Sequence, residues 1–538
     1  MTRRSRAWSL TASAATLALL VSACGSGDDD TTDAEGSGSG GAAGDSQGGT
    51  FSYALNEPTY LAPASQCYES ECIAVLSAIM EPLVSVDLET GELVYDGVAE
   101  SITSDDATNW TVKLKDGYTF HNGEPVNADA YIRAWNWTAN PKNAAATAGF
   151  MSKIEGAGEG KSMSGVTKVD DLTIEVALTS PYSQFPLTMS YTPAWAAIAQ
   201  ECLDDLQACN EEPIGYGPYQ MDGPWQHDTN ITVTQYADYS GDLGGNAETI
   251  SFDMFSDQVA AFRAWQGGTL DISPVDPTVY AEAKSTAGER FLEEPSSAFT
   301  YLGLPIEQEP FDDPDLRHAL SLAIDRQTII EQVLSNTAIP AKDIAPPIVP
   351  GAREDACEYC TYDPERAKQL FEEAGGIPSN KVTLWFNAGS GHDGWVEAVG
   401  NGWKQTFGID FTLEAREWAQ YLEIRSEGDF DGPYRLSWIM DYPSVENYLR
   451  PMYGTNGDVN YYGYSNETVD QALDEGDRAS TAEESIAAYQ RAGDQVLEDM
   501  PVIPMWFDKA NYVWSQDVDN VEYSVSNANV DFRKVSVN

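Results

Sequence analysis

The residues that most often carry covalent chemistry are few and scattered in this chain. The histidines are His121, His227, His318 and His392. None lies in a His-Glu-x-x-His motif, and there is no Gly-x-Ser-x-Gly turn or phosphate-binding loop. Ser390, His392 and Asp393 supply the residue types of a catalytic triad. They are neighbours in one Gly-rich turn, however, whereas a triad brings residues together from separate loops. The sequence therefore predicts a protein that is not an enzyme.

Six of the seven cysteines fall into close pairs, namely Cys67 and Cys72, Cys202 and Cys209, and Cys357 and Cys360. In an oxidising compartment such short spacings favour a disulfide within each pair, although other pairings are possible. The spacing of Cys357 and Cys360 leaves a redox or metal site as the alternative. One Cys-x-x-Cys without a second pair or nearby histidines is weak evidence for zinc. We expect three structural disulfides, no metal and no cofactor.

The seventh cysteine, Cys24, follows a segment that is typical of export. Arginines near the N-terminus precede an apolar run at residues 12–21, and Ser22 and Ala23 come directly before Cys24. The segment resembles the lipobox of bacterial lipoproteins. That resemblance implies that residues 1–23 are a signal peptide and that Cys24 is acylated to become the mature N-terminus. An ordinary secretory signal is the alternative, and the pair Arg3-Arg4 leaves twin-arginine export open.

Residues 24–49 form the predicted tether. After Cys24 this segment contains only Gly, Ser, Asp, Thr, Ala, Glu and Gln, so it has no large apolar side chain to bury and is expected to be disordered. A flexible coil of this length spans roughly 25–30 Å. No later stretch approaches the ~20 apolar residues of a membrane-spanning helix. We expect the folded body to be held at the outer face of the bacterial cytoplasmic membrane by the lipid alone.

Composition indicates a large, acidic, globular body. The chain has 538 residues, of which 42% are hydrophobic, and 85 acidic against 30 basic residues give a formal net charge of −55. Such a length allows two to four domains. Binding to nucleic acid needs clustered Lys and Arg, which this chain lacks. The charge excludes a nucleic-acid partner and is explained by solubility outside the cell.

The first part of the body gives clear local patterns. Thr50–Leu55 is typical of a strand, residues 73–83 have helical spacing, and residues 84–94 suit a hairpin that turns at Thr90-Gly91. Trp110, Val112 and Leu114 alternate as in a half-buried strand. Asn127 is placed to begin a helix that continues through Trp137.

Residues 107–129 resemble the characteristic segment of family 5 of the extracytoplasmic solute-binding proteins, which serve peptide-type ABC importers. Further segments similar to that family follow in its order at residues 214–219, 262–271, 310–326, 362–375, 403–409 and 500–504. The resemblance covers essentially residues 50–538. Gly303-Leu304-Pro305 stands where the family often has an aromatic-Asn pair, so the contacts of that pair are not carried over.

The resemblance implies an α/β fold of the two-lobed periplasmic-binding-protein type (class II) with an extra domain and a hinge between the lobes. Lobe 1 would be discontinuous and comprise residues 50–82, 213–297 and 507–538. A second domain would be inserted at residues 83–212, and residues 298–506 would form the C-terminal lobe. A ligand would be enclosed when the lobes close around the hinge.

The function implied is that of a monomeric substrate-binding lipoprotein, which captures peptides and delivers them to ABC permease subunits with their ATPases. Related scaffolds take oligosaccharides, opines, glutathione or metal chelates, and these remain open as ligands. A surface adhesin or a signalling receptor without a transporter would share the lipid anchor. Neighbouring genes for permeases and ATPases would favour the importer.

The most informative stretch for ligand binding is residues 430–443. Residues 435–440 mix apolar and polar side chains as a strand does, and Asp441 follows at its end. Trp438 and Asp441 stand at the spacing of the family strand whose aspartate pairs with a peptide's α-ammonium. By that resemblance Asp441 binds the ammonium, Trp438 forms an apolar wall and Arg435 pairs with a ligand carboxylate.

A structural role remains open for each of these residues. Asp441 would cap the turn that follows it, Trp438 would pack in the core, and Arg435 would form an internal ion pair. Asn56 and Glu57, at the turn after the first strand, are further candidates for the lip of the site.

Overall fold

The structure of this protein is a computed structural model in which residues 48–538 are described. Residues 1–47 lie outside the described part. The predicted signal peptide, the acylation of Cys24 and nearly all of the predicted tether therefore fall outside it.

The strands of the described chain are mostly short, with two that reach 13 residues. They are β1 (Thr50–Leu55), β2 (Ser85–Val86), β3 (Leu93–Val94), β4 (Ala99–Thr103), β5 (Asn109–Leu114), β6 (Val166–Asp170), β7 (Thr173–Ala177), β8 (Tyr219–Met221), β9 (Asn230–Gln235), β10 (Thr249–Met254), β11 (Ile272–Pro274), β12 (Phe291–Gly303), β13 (Ala338–Pro340), β14 (Lys381–Asn387), β15 (Asp410–Arg416), β16 (Tyr434–Trp438), β17 (Val502–Trp514), β18 (Val518–Asp519), β19 (Tyr523–Ser524), β20 (Asn529–Val530) and β21 (Ser536–Val537).

The helices alternate with these strands along the chain, and the longest precedes β17. They are α1 (Ser70–Ile79), α2 (Ala128–Thr138), α3 (Phe185–Thr188), α4 (Thr192–Trp195), α5 (Gln200–Asp204), α6 (Leu206–Glu211), α7 (Gln258–Gln266), α8 (Tyr280–Ala287), α9 (Pro314–Leu322), α10 (Arg326–Gln332), α11 (Pro364–Glu373), α12 (Asp393–Phe407), α13 (Trp418–Glu427), α14 (Arg450–Tyr453), α15 (Glu467–Arg478) and α16 (Ala482–Asp499).

One mixed sheet runs through most of the described body. Its strand order is β15-β14-β16-β12-β17-β11-β1-β10-β9-β8, with β13 paired to β17 at the side. Parallel pairs such as β1 with β10 and β14 with β15 lie towards its two ends. Antiparallel β12 and β17 lie in the middle and join the two ends.

Hydrophobic side chains collect in two large cores on either side of this middle region. The first core takes its residues mainly from positions 51–272 and from the C-terminal segment 512–535. The second core takes its residues from positions 299–507. A small third cluster packs α7 and α8 against β1 and β17. Strands β12 and β17 contribute residues to both large cores and therefore connect the two cores. The pairing of β12 with β17 is irregular between Pro295 and Phe299.

Several sequence predictions are confirmed by the local structure. Strand β1 has the predicted bounds, and β2 pairs antiparallel with β3 in the predicted hairpin. Strand β5 buries Trp110, Val112 and Leu114 within a sheet ordered β4-β5-β7-β6. The side chain of Asn127 accepts a hydrogen bond from the Ala130 amide and thereby caps α2, as its residue type predicts.

Two predicted boundaries differ from the structure. The helix predicted at residues 73–83 is α1, which ends at Ile79, because Pro82 disfavours helical geometry in the residue before it. The strand predicted at residues 435–440 is β16, which ends at Trp438. Its last partner in β12 is Phe299, where the irregular segment of β12 begins, and so the ladder cannot continue.

Candidate functional site

Asp441 lies in the turn after β16, at the junction of the two large cores. Its amide donates to Oδ1 of Asn447 at 2.9 Å, and Nδ2 of Asn447 donates to Oδ2 of Asp441 at 3.2 Å. Burial raises the pKa of Asp441 to about 6, while the hydrogen bond from Asn447 and the nearby hydroxyl of Tyr191 act to lower it. Among the described residues no Lys, Arg or His lies within 4.0 Å of its carboxylate. Asp441 is thus a partly buried acid that has no cationic partner in the described chain.

The residue that reaches Asp441 from the other side is Tyr191, which belongs to the first core. Its ring stacks on Phe150 at 5.2 Å, and Phe150 also meets the edge of Tyr442 at 6.1 Å. Tyr191 of the first core and Tyr448 of the second core both lie near the acid, which places Asp441 where the two cores meet.

Trp438 is partly buried at the margin of the second core. Its indole donates to Oδ1 of Asn447 at 3.2 Å, and that atom also accepts the bond from the Asp441 amide. Asn447 thus orients both predicted ligand residues. Sequence reasoning missed Asn447, because an asparagine in a polar-looking turn gives no sign that it will be buried.

Arg435 carries a guanidinium group without a carboxylate partner. It donates to Oδ1 of Asn387 at 3.4 Å and to Oγ of Ser437 at 3.1 Å, both of which are neutral. Its Nε is buried and makes no hydrogen bond in the described chain. Burial lowers the pKa of Arg435, although nearby Tyr421 and Asp508 act to raise it. The internal ion pair considered from sequence does not form within 4.0 Å across residues 48–538.

Asp508 is an acid in the same region that sequence reasoning did not identify. It lies on β17, where its Oδ2 accepts from Oγ1 of Thr300 at 2.9 Å and its carbonyl accepts from Oγ of Ser296 at 2.8 Å. Burial raises the pKa of Asp508 to about 6, while Thr300 and the charge of Arg435 act to lower it. A carboxylate in the otherwise largely apolar run 502–514 is the signal that would have found it.

Asn56 and Glu57 are exposed at the end of β1 and are engaged elsewhere. Nδ2 of Asn56 donates to Glu71 at 3.2 Å. Glu57 lies 2.8 Å from Nδ1 of His227. Desolvation acts to raise the pKa of Glu57, but hydrogen bonds from His227 and Asp228 together lower it. In the described chain neither residue hydrogen-bonds to Arg435, Trp438 or Asp441. The structure thus does not bring Asn56 and Glu57 into direct contact with the other predicted ligand residues.

The serine and the histidine of the triad-like turn have other partners. Oγ of Ser390 accepts from Asn387 at 2.9 Å, and Nδ1 of His392 accepts from the indole of Trp395 at 3.2 Å. Burial, with the charge of Arg435, lowers the pKa of His392 to about 3, so its ring is neutral at physiological pH. The serine and the histidine do not form the hydrogen bond on which a triad depends.

A second contact between the cores is ionic, and we call it the junction network: Lys153, Tyr182, Glu446, Arg450 and Asp477. Arg450 lies 3.1 Å from Glu446 and 2.8 Å from Asp477. Lys153 reaches Asp477 at 2.7 Å, and the hydroxyl of Tyr182 donates to Glu446 at 3.3 Å. Glu446 and Asp477 are almost fully buried, so the two acids of the network are shielded from solvent.

The three close cysteine pairs are joined in the structure. The Cα atoms are 5.9 Å apart for Cys67 and Cys72, 5.0 Å for Cys202 and Cys209, and 5.4 Å for Cys357 and Cys360. These separations lie in the range that a disulfide spans. Across residues 48–538 no cluster of three or more His, Cys, Asp or Glu is arranged to hold a metal ion. In the same range no helix has the length and apolar character needed to cross a bilayer.

Two cores joined by crossing strands, with charges that lack counterions at their junction, are the arrangement of a two-lobed binding protein. The profile of the family described as "Bacterial extracellular solute-binding proteins, family 5 Middle" matches residues 94–460. The chain therefore belongs to this family, and both the family assignment and the two-lobed α/β fold predicted from sequence are confirmed.

The chain is similar to several characterised relatives along most of its length. It is 26% identical over 541 residues to the oligopeptide-binding protein OppA of Bacillus subtilis (strain 168), with 96% of each chain covered. It is 27% identical over 475 residues to the periplasmic murein peptide-binding protein MppA of Escherichia coli (strain K12), with 84% of this chain and 86% of MppA covered.

Solved structures share the fold. The structure of the Escherichia coli murein tripeptide-binding protein MppA superposes with a TM-score of 0.79 at 23% identity and covers 91% of this chain and 98% of MppA. Haemophilus influenzae OppA in complex with the peptide RPPGFSPFR gives a TM-score of 0.77 at 23% identity, with 92% and 99% covered.

Proposed function

We propose that this protein is the substrate-binding lipoprotein of an ABC importer, which captures peptides between its two lobes and delivers them to a membrane permease. The observation that carries the proposal is Asp441, a partly buried acid without a cation at the junction of the two cores. A free peptide carries an ammonium group at its N-terminus, and that group supplies the missing charge.

The energetics of burial favour this assignment. A carboxylate that loses its water must be compensated by hydrogen bonds and by an opposite charge, because unpaired burial costs several kcal/mol. Asn447 supplies a neutral hydrogen bond to the carboxylate of Asp441, and the charge remains uncompensated. A charge-assisted hydrogen bond from an ammonium would also fix the register of the peptide.

The other predicted residues have complementary roles in the proposal. Arg435, which lacks a carboxylate partner, would bind the C-terminal carboxylate of the peptide, a task to which guanidinium geometry is suited. Trp438 would form an apolar wall for a ligand side chain. The backbone of the peptide would pair as an added strand, with wet pockets that tolerate many side chains.

We assign the lobes as the sequence predicts. Lobe 1 comprises residues 50–82, 213–297 and 507–538, the inserted domain comprises 83–212, and the C-terminal lobe comprises 298–506. The change of core along β12 and β17, near the irregular pairing at Pro295 and Phe299, supports a hinge at these boundaries. Cleavage after residue 23, acylation of Cys24 and the tether predicted at residues 24–49 would hold the monomeric protein at the outer face of the cytoplasmic membrane.

Thermal unfolding tests the class of ligand. Trialanine is expected to raise the melting temperature, because a ligand that binds the folded state alone stabilises it by about 2.7 kcal/mol at a concentration 100 times Kd. Cellotriose and xylotriose serve as comparison ligands. A shift with the sugars and none with trialanine or other short peptides would contradict the proposal and favour the oligosaccharide alternative.

The ionisation of Asp441 predicts a pH dependence of binding. The pKa of the free site is about 6, so below this pH the carboxyl is increasingly protonated and cannot pair with an ammonium. The affinity for trialanine is expected to be constant between about pH 6.5 and 7.5 and to fall by up to about tenfold per unit below pH 6, since one proton competes with the ligand. Calorimetric titration at pH 5 and at pH 7.5 measures this. Equal affinities at the two values would contradict the role of Asp441.

A further inference from the structure

Asp508 is an acid that lies near Arg435. Asp508 lies on β17 where this strand passes between the two cores, and its backbone is tied by Ser296 to the irregular segment of β12. Asp508 is partly buried, so it retains some access to solvent.

The pairing of the central sheet places Arg435 and Asp508 on one face. Arg435 donates to Ser437, Ser437 is opposite Thr300 in the pairing of β16 with β12, and Thr300 donates to Asp508. Strand β14 pairs with β16 only at Tyr434, three residues before Ser437. Thr300 is buried, but Ser437 is exposed, so this face is open to solvent at Ser437.

The two charged groups beside this open face are not paired with each other. No nitrogen of Arg435 lies within 4.0 Å of Asp508, and Arg435 bonds instead to neutral Asn387 and Ser437. Asp508 receives its hydrogen bond from neutral Thr300. Had Asp508 served as the counterion of Arg435, direct contact would have been the favourable arrangement, because attraction between charges increases as their separation decreases.

The charges of the proposed site do not balance without a ligand. Asp441 and Asp508 are acidic and Arg435 is basic, which leaves one formal negative charge in excess among these three residues. A peptide with neutral side chains, free at both ends, has no net charge and leaves that excess in place. A peptide with one basic side chain neutralises it.

We propose that Asp508 binds a basic side chain of the ligand, so that the site prefers peptides that contain lysine, arginine or ornithine. This inference rests on the proposed function and names the class of peptide. In it, Asp441 binds the terminal ammonium, Arg435 the terminal carboxylate and Asp508 the side-chain cation.

Matched peptides test the preference in the unaltered protein. Calorimetric titration would compare Lys-Ala-Ala, Ala-Lys-Ala and Ala-Ala-Lys with the same peptides that contain Nε-acetyl-lysine, a side chain of similar length without the charge. In at least one position lysine is expected to bind at least tenfold more tightly than acetyl-lysine. A ratio below threefold at all three positions overturns the inference.

The variant Asp508→Asn assigns the preference to this residue. It is expected to reduce the lysine-to-acetyl-lysine ratio to below threefold and to leave the affinity for the acetylated peptides within threefold of its original value. Equal weakening of both peptides would overturn the inference and indicate a structural role towards Arg435. Should Asp508→Asn not fold, Thr300→Val, which removes the bond that orients the carboxylate, is expected to lower the same ratio, and an unchanged ratio overturns the inference.

These outcomes separate the inference from the proposed function. If none of the six peptides binds, the proposed function itself fails. If all six bind with equal affinity, peptide capture stands and the preference for basic side chains fails. Asp441→Asn is expected to weaken all six while the ratio between the matched peptides persists, because the two acids bind different groups.

Discussion

Asp441→Asn is expected to weaken the binding of trialanine by about a hundredfold or more. Truncation of one partner in a buried, hydrogen-bonded charge pair costs about 2–5 kcal/mol, and an amide cannot replace the charge of a carboxylate. N-acetyl-trialanine, which has no ammonium, is expected to bind the original protein weakly and to lose less than threefold in the variant. Calorimetric titration of both peptides with both proteins measures the difference.

A second acid provides the matched control for this variant. Asp458 is exposed, although desolvation by nearby protein likewise raises its pKa, and its side chain lies close to Gly149 in the connection between α2 and β6. Asp458→Asn is expected to leave the affinity for both peptides within threefold. If Asp441→Asn weakens the binding of trialanine and of its acetylated form equally, Asp441 does not bind the ammonium group.

The stability of the same variant gives an independent check. Because burial disfavours the ionised form of Asp441, the neutral asparagine removes a cost that the ligand-free protein bears at neutral pH. The side chain remains able to bond to Asn447. The ligand-free variant should therefore melt at the same temperature or higher, so that any loss of affinity cannot be attributed to unfolding.

Local patterns in the sequence predicted local structure well. The alternation of Trp110, Val112 and Leu114 predicted β5, and Asn127 predicted the start of α2, because strand burial and helix capping depend on residues only a few positions apart. The end of β16 was predicted less accurately. It depends on the irregular pairing of β12, more than 130 positions away, which no local pattern encodes.

The candidate site was predictable in part for the same reason. Arg435, Trp438 and Asp441 lie in one short segment, and their spacing resembles that of a known family. Tyr191 and Asp508 reach the same region from distant parts of the chain, so only the folded structure brings them there. Glu57 is likewise determined by a tertiary contact. It is hydrogen-bonded to His227, a residue of the β8–β9 connection, and this contact could not be predicted from the local sequence.

The junction network is where a substitution is expected to cost most in stability. Arg450→Met should lower the apparent free energy of unfolding by about 3–5 kcal/mol, because removal of one partner from a buried ion pair leaves a charge that is not compensated. The side chains of Glu446 and Asp477 are 1% and 3% exposed, so solvent cannot replace the guanidinium. Thermal and urea unfolding at pH 8 measure the loss.

The loss of stability in Arg450→Met should depend on pH, and an exposed arginine provides the control. Burial already raises the pKa of Glu446, and Arg450 acts to lower it, so the variant raises it further. Proton uptake then relieves the repulsion between the acids, and the loss of stability should be smaller at pH 5 than at pH 8.

The control is Arg478→Met, since Arg478 is 56% exposed and pairs with Asp474 on the surface of α15. Exposed pairs contribute about 0–1 kcal/mol, so a loss in the control as large as that in Arg450→Met would contradict the burial argument.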